Sequence, residues 1–128
     1  MAIRLAHVAL WTTDIDRLCS FWQRTLSAEI GPVYESRNRP GYRSRFLRFA
    51  EGASIEVMTG PWVGPPAGSE TQGYAHVAVS LGSAQAVDEL AERMRTEGYL
   101  QSPPRHTGDG YYEAVLRDPD GNLIEIMA

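Results

Sequence analysis

The chain contains an internal repeat, and this repeat limits the possible folds more than any other feature of the sequence. The segment Ala-His-Val-Ala-Leu around His7 returns as Ala-His-Val-Ala-Val around His76. The segment Ser-Ile-Glu-Val-Met around Glu56 returns as Leu-Ile-Glu-Ile-Met around Glu125. The two histidines and the two glutamates are each 69 positions apart (76 − 7 and 125 − 56). A fixed offset of this kind indicates two copies of one supersecondary unit.

The length of the chain indicates how the two copies are organised. Its 128 residues are the usual size of one domain, whereas half of that number is too short to bury a stable core alone. We therefore predict one domain over residues 1–128, with module one at about 1–60, a linker at about 60–73 and module two at about 74–128. We expect the two modules to join their sheets edge to edge.

Each module is predicted to contain one strand, a helix and three further strands. Short apolar runs indicate the strands, and apolar residues at intervals of three and four indicate the helices. In module one, strands are expected at residues 3–11, 30–36, 43–49 and 53–59, with a helix after a cap at Thr13 or Asp14. In module two, strands are expected at 75–79, near 100, at 111–117 and at 123–127, with a helix between Ser83 and Gly98. The predicted fold class is α+β, built from two tandem βαβββ modules.

Charge and cysteine content exclude several classes of partner and location. Twelve Lys and Arg against sixteen Asp and Glu give a net charge of −4, which provides no general attraction for nucleic acid or anionic lipid. The single cysteine, Cys19, cannot form an intrachain disulfide and is expected in a helix core as an inert thiol. No segment has the apolar length of a signal peptide or membrane span. We therefore expect a cytoplasmic protein whose partner is a small molecule.

Strand alternation places two histidines and two glutamates on the faces opposite the core. In the last strand of each module the apolar neighbours of Glu56 and Glu125 face the helices, so both carboxylates point the other way. His7 shares its face with Trp11 in the first strand, and His76 occupies the matching position in module two. Polar groups in such apolar strands are costly unless they are paired or bound to metal. Two imidazoles and two carboxylates suit Ni²⁺, Zn²⁺ or Co²⁺, and also Fe²⁺ or Mn²⁺, so these four residues are candidate metal ligands.

Five segments of the chain resemble the vicinal oxygen chelate superfamily of glyoxalases, dioxygenases and bleomycin resistance proteins. They are His7-Val8-Ala9-Leu10, the helix at 14–26, Ile55-Glu56-Val57, His76-Val77-Ala78-Val79 and the segment 118–125 with its Asp-Pro-Asp-Gly turn. The resemblance implies a curved mixed sheet around a metal cavity, with ligands from the first and last strand of each module. Those positions hold His7, Glu56, His76 and Glu125.

The full set of four ligands is most similar to small bacterial glyoxalase I proteins, which are related to lactoylglutathione lyase. This resemblance implies that the metal chelates two neighbouring substrate oxygens, and that Glu56 and Glu125 remove and return a proton at the adjacent carbon. It also implies a homodimer, with ligands taken from one chain or exchanged between two. A metal-dependent dioxygenase, a fosfomycin-type thiol transferase and a metal-free ligand-binding resistance protein remain as alternatives.

The same resemblance breaks down at positions expected to recognise substrate. Glyoxalase I of this type has an arginine and an asparagine for glutathione where this chain has Trp11 and Gly60, so glutathione is not the expected substrate. Trp11 is instead a candidate for contact with an aromatic substrate portion. The basic run of Arg37, Arg39, Arg43, Arg45 and Arg48 contains candidates for binding a carboxylate or phosphate, chiefly Arg37, Arg43 and Arg45, with the last two on one strand face. The segment 103–112 is expected to be a surface loop with the composition of a lid, and its Tyr112 is a further substrate-binding candidate.

Overall fold

The computed structural model describes all residues, Met1–Ala128, and divides into two compact units of nearly equal size. The first unit comprises Met1–Pro65 and the second Pro66–Ala128. Each contains one helix and one mixed sheet, which confirms the predicted α+β class and the tandem βαβββ order. Neither helix combines the length and apolar character needed to cross a membrane.

The first unit is a helix packed on a five-stranded sheet. Its elements are β1 (His7–Trp11), α1 (Ile15–Leu26), β2 (Glu29–Ile30), β3 (Tyr34–Glu35), β4 (Arg43–Arg48) and β5 (Ser54–Thr59). The strand order is β1-β5-β4-β2, and the short β3 pairs with the other end of β4. β1 and β5 are parallel, whereas β4 is antiparallel to β5, β2 and β3.

The second unit repeats this plan with four strands. Its elements are β6 (His76–Ser80), α2 (Ala84–Glu97), β7 (Leu100–His106), β8 (Tyr112–Arg117) and β9 (Leu123–Met127). The order β6-β9-β8-β7 again pairs the first and last strands in parallel, next to an antiparallel pair. The opening and closing segments of the sequence repeat therefore become adjacent strands in each unit.

The two helices begin and end through the capping residues that their sequences provide. Asp14 caps α1 by accepting a hydrogen bond from the Arg17 amide, which decides between the two predicted caps. Ser83 caps α2 in the same way, by accepting a hydrogen bond from the Ala86 amide. Gly98 ends α2 in the left-handed conformation, at φ 86°, which glycine adopts without a Cβ clash. Both helix starts and the end of α2 were thus readable from local sequence.

The core of each unit lies between its helix and one face of its sheet. In the first unit, Leu18, Trp22, Ile55 and Val57 are buried. The matching core of the second unit includes Val87, Met94, Ile124 and Ile126. The alternating neighbours of these residues in β5 and β9 include Glu56 and Glu125, which consequently occupy the face away from the helix.

Three predicted strand segments differ from the structure. β1 begins at His7, not at residue 3, and the side chains of Ile3 and Leu5 are exposed. The strand predicted at 30–36 is divided into β2 and β3, because Pro32 has no amide hydrogen with which to continue the ladder. The expected loop from residue 103 was wrong, since Pro103 through His106 belong to β7. β7 is an edge strand with two register shifts, a position at which proline is tolerated.

Candidate functional site

Each unit brings one histidine and one glutamate together at the same register of its parallel strand pair. In the first unit, Ala9 of β1 lies opposite Glu56 of β5, and His7 is two residues before Ala9. In the second unit, Ala78 of β6 lies opposite Glu125 of β9, and His76 is two residues before Ala78. The predicted adjacency within each pair is therefore present twice, with the same strand geometry.

The side chains within each pair approach each other closely. The Nε2 atom of His7 lies 3.7 Å from Oε1 of Glu56, and Nε2 of His76 lies 3.2 Å from Oε2 of Glu125. The imidazoles are 43% and 41% exposed, whereas the carboxylates are 19% and 18% exposed. Each pair thus combines a sheltered oxygen donor with a nitrogen donor that solvent or a ligand can reach.

These pairs have the chemistry of a metal ligand set, but neither unit completes such a set alone. Neutral imidazole nitrogen and carboxylate oxygen are ligands common to the first-row divalent metals. The structure contains no group of three or more histidine, cysteine, aspartate or glutamate side chains arranged to hold a metal ion. A centre with four protein ligands therefore requires both pairs.

Glu56 has a second partner that the sequence did not reveal. The hydroxyl of Tyr42 donates a hydrogen bond to Oε2 of Glu56 over 3.3 Å. Partial burial and, to a smaller extent, the negative charge of Glu56 raise the pKa of Tyr42, so this hydroxyl stays protonated and remains a donor near neutral pH. The ring of Phe46 packs edge-on against His7 at 5.3 Å. Both oxygens of Glu56 are consequently held by neighbouring side chains.

Glu125 has a different neighbour. Glu113, in β8, shares a hydrogen bond with Glu125, and this bond together with burial and the nearby negative charge raises the pKa of Glu113. The position that matches Glu113 in the first unit is Ser44, 69 residues earlier. The two pairs therefore have the same backbone geometry but different polar surroundings.

Trp11 lies in an aromatic cluster on the His7 side of β1. Its ring meets Trp62 at 6.0 Å and Tyr42 at 6.1 Å, both in edge-to-face geometry. The guanidinium of Arg39 stacks on the Trp62 ring, with Cζ 3.8 Å from the ring centroid. A Cβ atom at Gly60 would lie 2.4 Å from the Trp62 ring, so the ring occupies space that only glycine leaves open.

The three arginines predicted to bind substrate lie outside this aromatic cluster. Arg43 and Arg45 share a face, as predicted, but it is the face that carries α1 and not the face of Glu56. Arg45 is opposite the buried Val57, donates to the Gly31 carbonyl at 2.8 Å and lies 3.8 Å from Asp16 of α1. Arg43 and Arg45 therefore lie on the sheet face opposite that of Glu56. Arg37 is exposed in the turn between β3 and β4.

Tyr112 also lies on a helix face. Its hydroxyl donates a hydrogen bond to Asp88 of α2, and its ring packs against His106 at 4.7 Å. The neighbouring Glu113 occupies the opposite face of β8, with Glu125. Tyr112 therefore joins sheet to helix, and the surface loop expected over 103–112 is reduced to the tight turn from Thr107 to Tyr111.

Four residues near the predicted site were not identified from sequence: Arg39 as a member of the cluster, Tyr42, Trp62 and Glu113. Glu113 had a readable signal, because the turn after Asp118 sets the register that places Val115 opposite Glu125 and Glu113 two residues further along the same face. Tyr42 and Trp62 lie in irregular segments, where alternation gives no guide. Cys19 is buried, which raises the pKa of its thiol and confirms the predicted core position.

Comparison with known structures identifies the same fold in several proteins. A glyoxylase/bleomycin resistance protein/dioxygenase domain from Frankia sp. EAN1pec matches with a TM-score of 0.84 and 21% identity, covering 99% of this chain and 92% of that one. The trypanothione-dependent glyoxalase I of Leishmania major matches with a TM-score of 0.76 and 22% identity, covering 98% and 86%. Glyoxalase I from Zea mays gives a TM-score of 0.78 and 21% identity, covering 97% of this chain but only 44% of the maize chain. The chain thus spans less than half of the maize enzyme's length.

Family membership follows from a sequence comparison that covers almost the whole chain. Comparison with curated proteins finds no match. The model of the Glyoxalase/Bleomycin resistance protein/Dioxygenase superfamily, however, matches residues 4–126, which include both His–Glu pairs. This chain belongs to that superfamily.

Proposed function

We propose that this protein is a metal-dependent lyase or isomerase of glyoxalase I type, with His7, Glu56, His76 and Glu125 as its metal ligands. Its substrate is a small molecule with two neighbouring oxygens, and the reaction moves a proton at the carbon beside one of them. The observation that carries this proposal is the presence of a His–Glu pair at the same strand register in both units. Such a duplicated pair is hard to explain by separate structural needs of two different cores.

The residues fit a divalent metal by donor type and by access. Each imidazole turns its Nε2 atom toward a carboxylate oxygen, so a cation near that oxygen also lies near the nitrogen lone pair. The partial exposure of both histidines leaves room for an incoming ion and substrate. The mixed nitrogen and oxygen set favours Ni²⁺, Zn²⁺ or Co²⁺, with Fe²⁺ and Mn²⁺ as further candidates.

Proton transfer is assigned to the two glutamates. A bound divalent metal supplies Lewis acidity, which makes the carbon-bound proton beside a coordinated substrate oxygen easier to remove. Glu56 and Glu125 carry carboxylate oxygens suited to accept that proton and to return it to the neighbouring carbon. Tyr42 orients Glu56 through its hydrogen bond to Oε2, so that the carboxylate enters the reaction in one defined position.

Glutathione is not the substrate we propose. Trp11 lies four residues after His7 on the same face of β1, and Gly60 leaves room for the Trp62 ring beside it. This aromatic surface suits an apolar or planar substrate portion better than a flexible peptide. We also propose a homodimer that acts in the cytoplasm, where a buried free thiol is stable without a disulfide partner.

Metal content tests the ligand assignment. Protein expressed with added Ni²⁺, Zn²⁺ and Co²⁺ is expected to contain one metal ion per complete set of four ligands, measured by elemental analysis after gel filtration. His7→Gln and His76→Gln should each lower this content strongly. His106→Gln is the matched control, since His106 is exposed and its ring packs on Tyr112, outside both His–Glu pairs. Metal-free protein from metal-replete cells, or equal losses in all three variants, would contradict the proposal.

Proton exchange tests the chemistry. Dihydroxyacetone has neighbouring oxygens and serves as a test substrate in D₂O. The metal-loaded protein is expected to catalyse exchange of the carbon-bound protons of dihydroxyacetone for deuterium, which ¹H NMR measures. Glu56→Gln should slow this exchange by about a hundredfold or more, the usual effect of losing a general base. Glu51→Gln, at an exposed turn carboxylate, is the control. Full exchange activity in Glu56→Gln would contradict the assignment of Glu56 as a base, and consumption of O₂ without proton exchange would favour the dioxygenase alternative.

A further inference from the structure

The charge of Arg39 has no acidic partner in the structure, unlike the charges of Arg45, Arg93 and Arg95. Arg45 lies beside Asp16, Arg95 beside Glu92 and Arg93 beside Glu97. The guanidinium of Arg39 instead contacts the rings of Trp62 and Trp11, with Cζ 3.8 Å and 5.8 Å from their centroids. A guanidinium stacked on one face keeps its in-plane N–H donors free for another group. The structure thus presents an oriented cation whose hydrogen bonds are unused.

The segment that carries Arg39 is built to hold this position. The amide of Arg39 donates to the Ser36 hydroxyl at 3.0 Å, and the Tyr42 amide donates to the Arg39 carbonyl at 3.1 Å. Gly41 has φ +90°, and a Cβ there would lie 2.7 Å from Pro61. The turn therefore approaches the segment 60–62 more closely than any residue with a side chain would allow.

The two indole rings beside Arg39 are accessible. Trp11 is 42% exposed and Trp62 is 39% exposed, although large aromatic side chains are normally buried in a domain of this size. Because Gly60 has no Cβ, the Trp62 ring can fold back toward Trp11 without a clash. Two half-open rings at 6.0 Å form an aromatic wall next to the unpaired cation. Side chains in this arrangement suit a ligand that is apolar or planar in its body and anionic at one end.

This surface continues into the His7–Glu56 pair. His7, Ala9 and Trp11 alternate along one face of β1, and the small Ala9, opposite Glu56, is the only side chain between His7 and Trp11 on this face. Tyr42 joins the two parts, because its ring meets Trp11 and its hydroxyl donates to Glu56. One ligand can therefore contact the aromatic wall and the carboxylate together.

We propose that Arg39, Trp11 and Trp62 form a binding site for the carboxylate or phosphate group of an aromatic or apolar substrate. The guanidinium of Arg39 donates paired hydrogen bonds to the anion, and the indole rings cover the body of the ligand. The identification of this ligand as the substrate rests on the proposed function. The binding site itself rests only on contacts within the first unit.

Binding of small aromatic anions tests the site without any reaction. Phenylacetate, phenyl phosphate and the neutral benzyl alcohol are titrated into the full-length protein at pH 7, followed by tryptophan fluorescence and calorimetry. Saturable quenching by an anion is expected, since Trp11 and Trp62 are accessible whereas Trp22 is buried. Trp11→Phe and Trp62→Phe should each remove part of the signal. Comparison of the affinities for phenylacetate and phenyl phosphate then shows whether the site prefers a carboxylate or a phosphate.

Charge variants separate recognition of the anion from general electrostatics. Arg39→Gln should weaken anion binding about tenfold or more, because it removes charge-assisted paired hydrogen bonds. The affinity for the neutral benzyl alcohol should be unchanged. Arg39→Lys should give an intermediate loss, because lysine keeps the charge but not the planar fork. Arg24→Gln is the matched control, since Arg24 also stacks on an aromatic ring, that of Phe21 at 5.2 Å. Equal losses in Arg39→Gln and Arg24→Gln, or no saturable quenching, would overturn the site.

Repeating the titration with EDTA distinguishes this inference from the proposed function. Retained binding in EDTA with a tenfold loss in Arg39→Gln supports the site whether or not the protein holds a metal. Anion binding that disappears in EDTA and is unchanged in Arg39→Gln would mean that the anion binds a metal and not Arg39, which overturns the site. A protein that binds the anions through Arg39 but contains no metal would contradict the proposed function alone.

Discussion

Tyr42 and Glu56 are joined by a hydrogen bond in which the tyrosine hydroxyl donates to Oε2 over 3.3 Å. The other carboxylate oxygen, Oε1, faces Nε2 of His7 at 3.7 Å. Glu56 is therefore held from two sides, by a donor from the segment before β4 and by an imidazole from β1. Glu125 lacks a tyrosine partner and is accompanied by Glu113. The two glutamates therefore have different hydrogen-bond partners, which would allow one to remove the proton and the other to return it.

Tyr42→Phe should lower kcat for proton exchange about fivefold and leave KM and metal content nearly unchanged. The variant removes one hydrogen bond to Glu56, worth about 1 kcal/mol, but none of the proposed metal ligands. Exchange rates and elemental analysis on the same samples provide the test. Tyr34→Phe is the control, because Tyr34 meets Tyr42 ring to ring and is exposed. Loss of metal from Tyr42→Phe would show that the tyrosine maintains the ligand geometry instead.

Gly60→Ala should displace the Trp62 ring and weaken the aromatic cluster. The added methyl group would lie 2.4 Å from that ring, and because Trp62 is half exposed, the ring can swing outward and limit the loss of stability. We expect a red shift of tryptophan emission, weaker binding of phenylacetate and a small change in Tm. Gly64→Ala is the matched control, since nothing lies within 4 Å of its added Cβ. Unchanged emission in Gly60→Ala would show that Trp62 does not depend on that glycine.

Regular periodicity explains which parts of the site were predictable. His7, Glu56, His76 and Glu125 lie in strands, where alternation alone decides the face and the repeat supplies an internal check. Arg45 shows the limit of this reasoning, because alternation correctly grouped it with Arg43 but did not say which face carried the helix. Register with the buried Val57 settles that question, and register was available only from the structure.

The aromatic cluster could not be predicted for a different reason. Trp62 and Arg39 lie outside the strands, and their contact depends on the close approach of Gly41 to Pro61 and on the open space at Gly60. These are tertiary constraints between segments about 20 residues apart, and no local pattern encodes them. Trp11 was correctly placed on the His7 face, but its partners were not visible in the sequence.

Cys19 should resist alkylation in the native protein. Its thiol is buried, and this burial raises its pKa, so the reactive thiolate is scarcer at any given pH than in an exposed cysteine. Iodoacetamide at pH 8 is expected to leave the folded chain unmodified by mass spectrometry and to add one group in urea. Rapid native modification would contradict the position of Cys19 on the buried face of α1. Raising the pH should accelerate alkylation only above the pH range in which exposed cysteine thiols ionise.

Asp118→Ala should lower the free energy of unfolding by about 2–3 kcal/mol, because it removes a buried acceptor of several hydrogen bonds. The Asp118 carboxylate accepts from the Asp120 amide at 2.9 Å, the Asn122 amide at 2.8 Å and the Asn122 side chain at 2.9 Å. These bonds fix the turn that sets β8 against β9, and with it the position of Glu125. Asn122→Ala, which removes one of the three, should cost less, about 1 kcal/mol. Urea unfolding of both variants measures the difference, and equal losses would show that the two backbone amides contribute nothing.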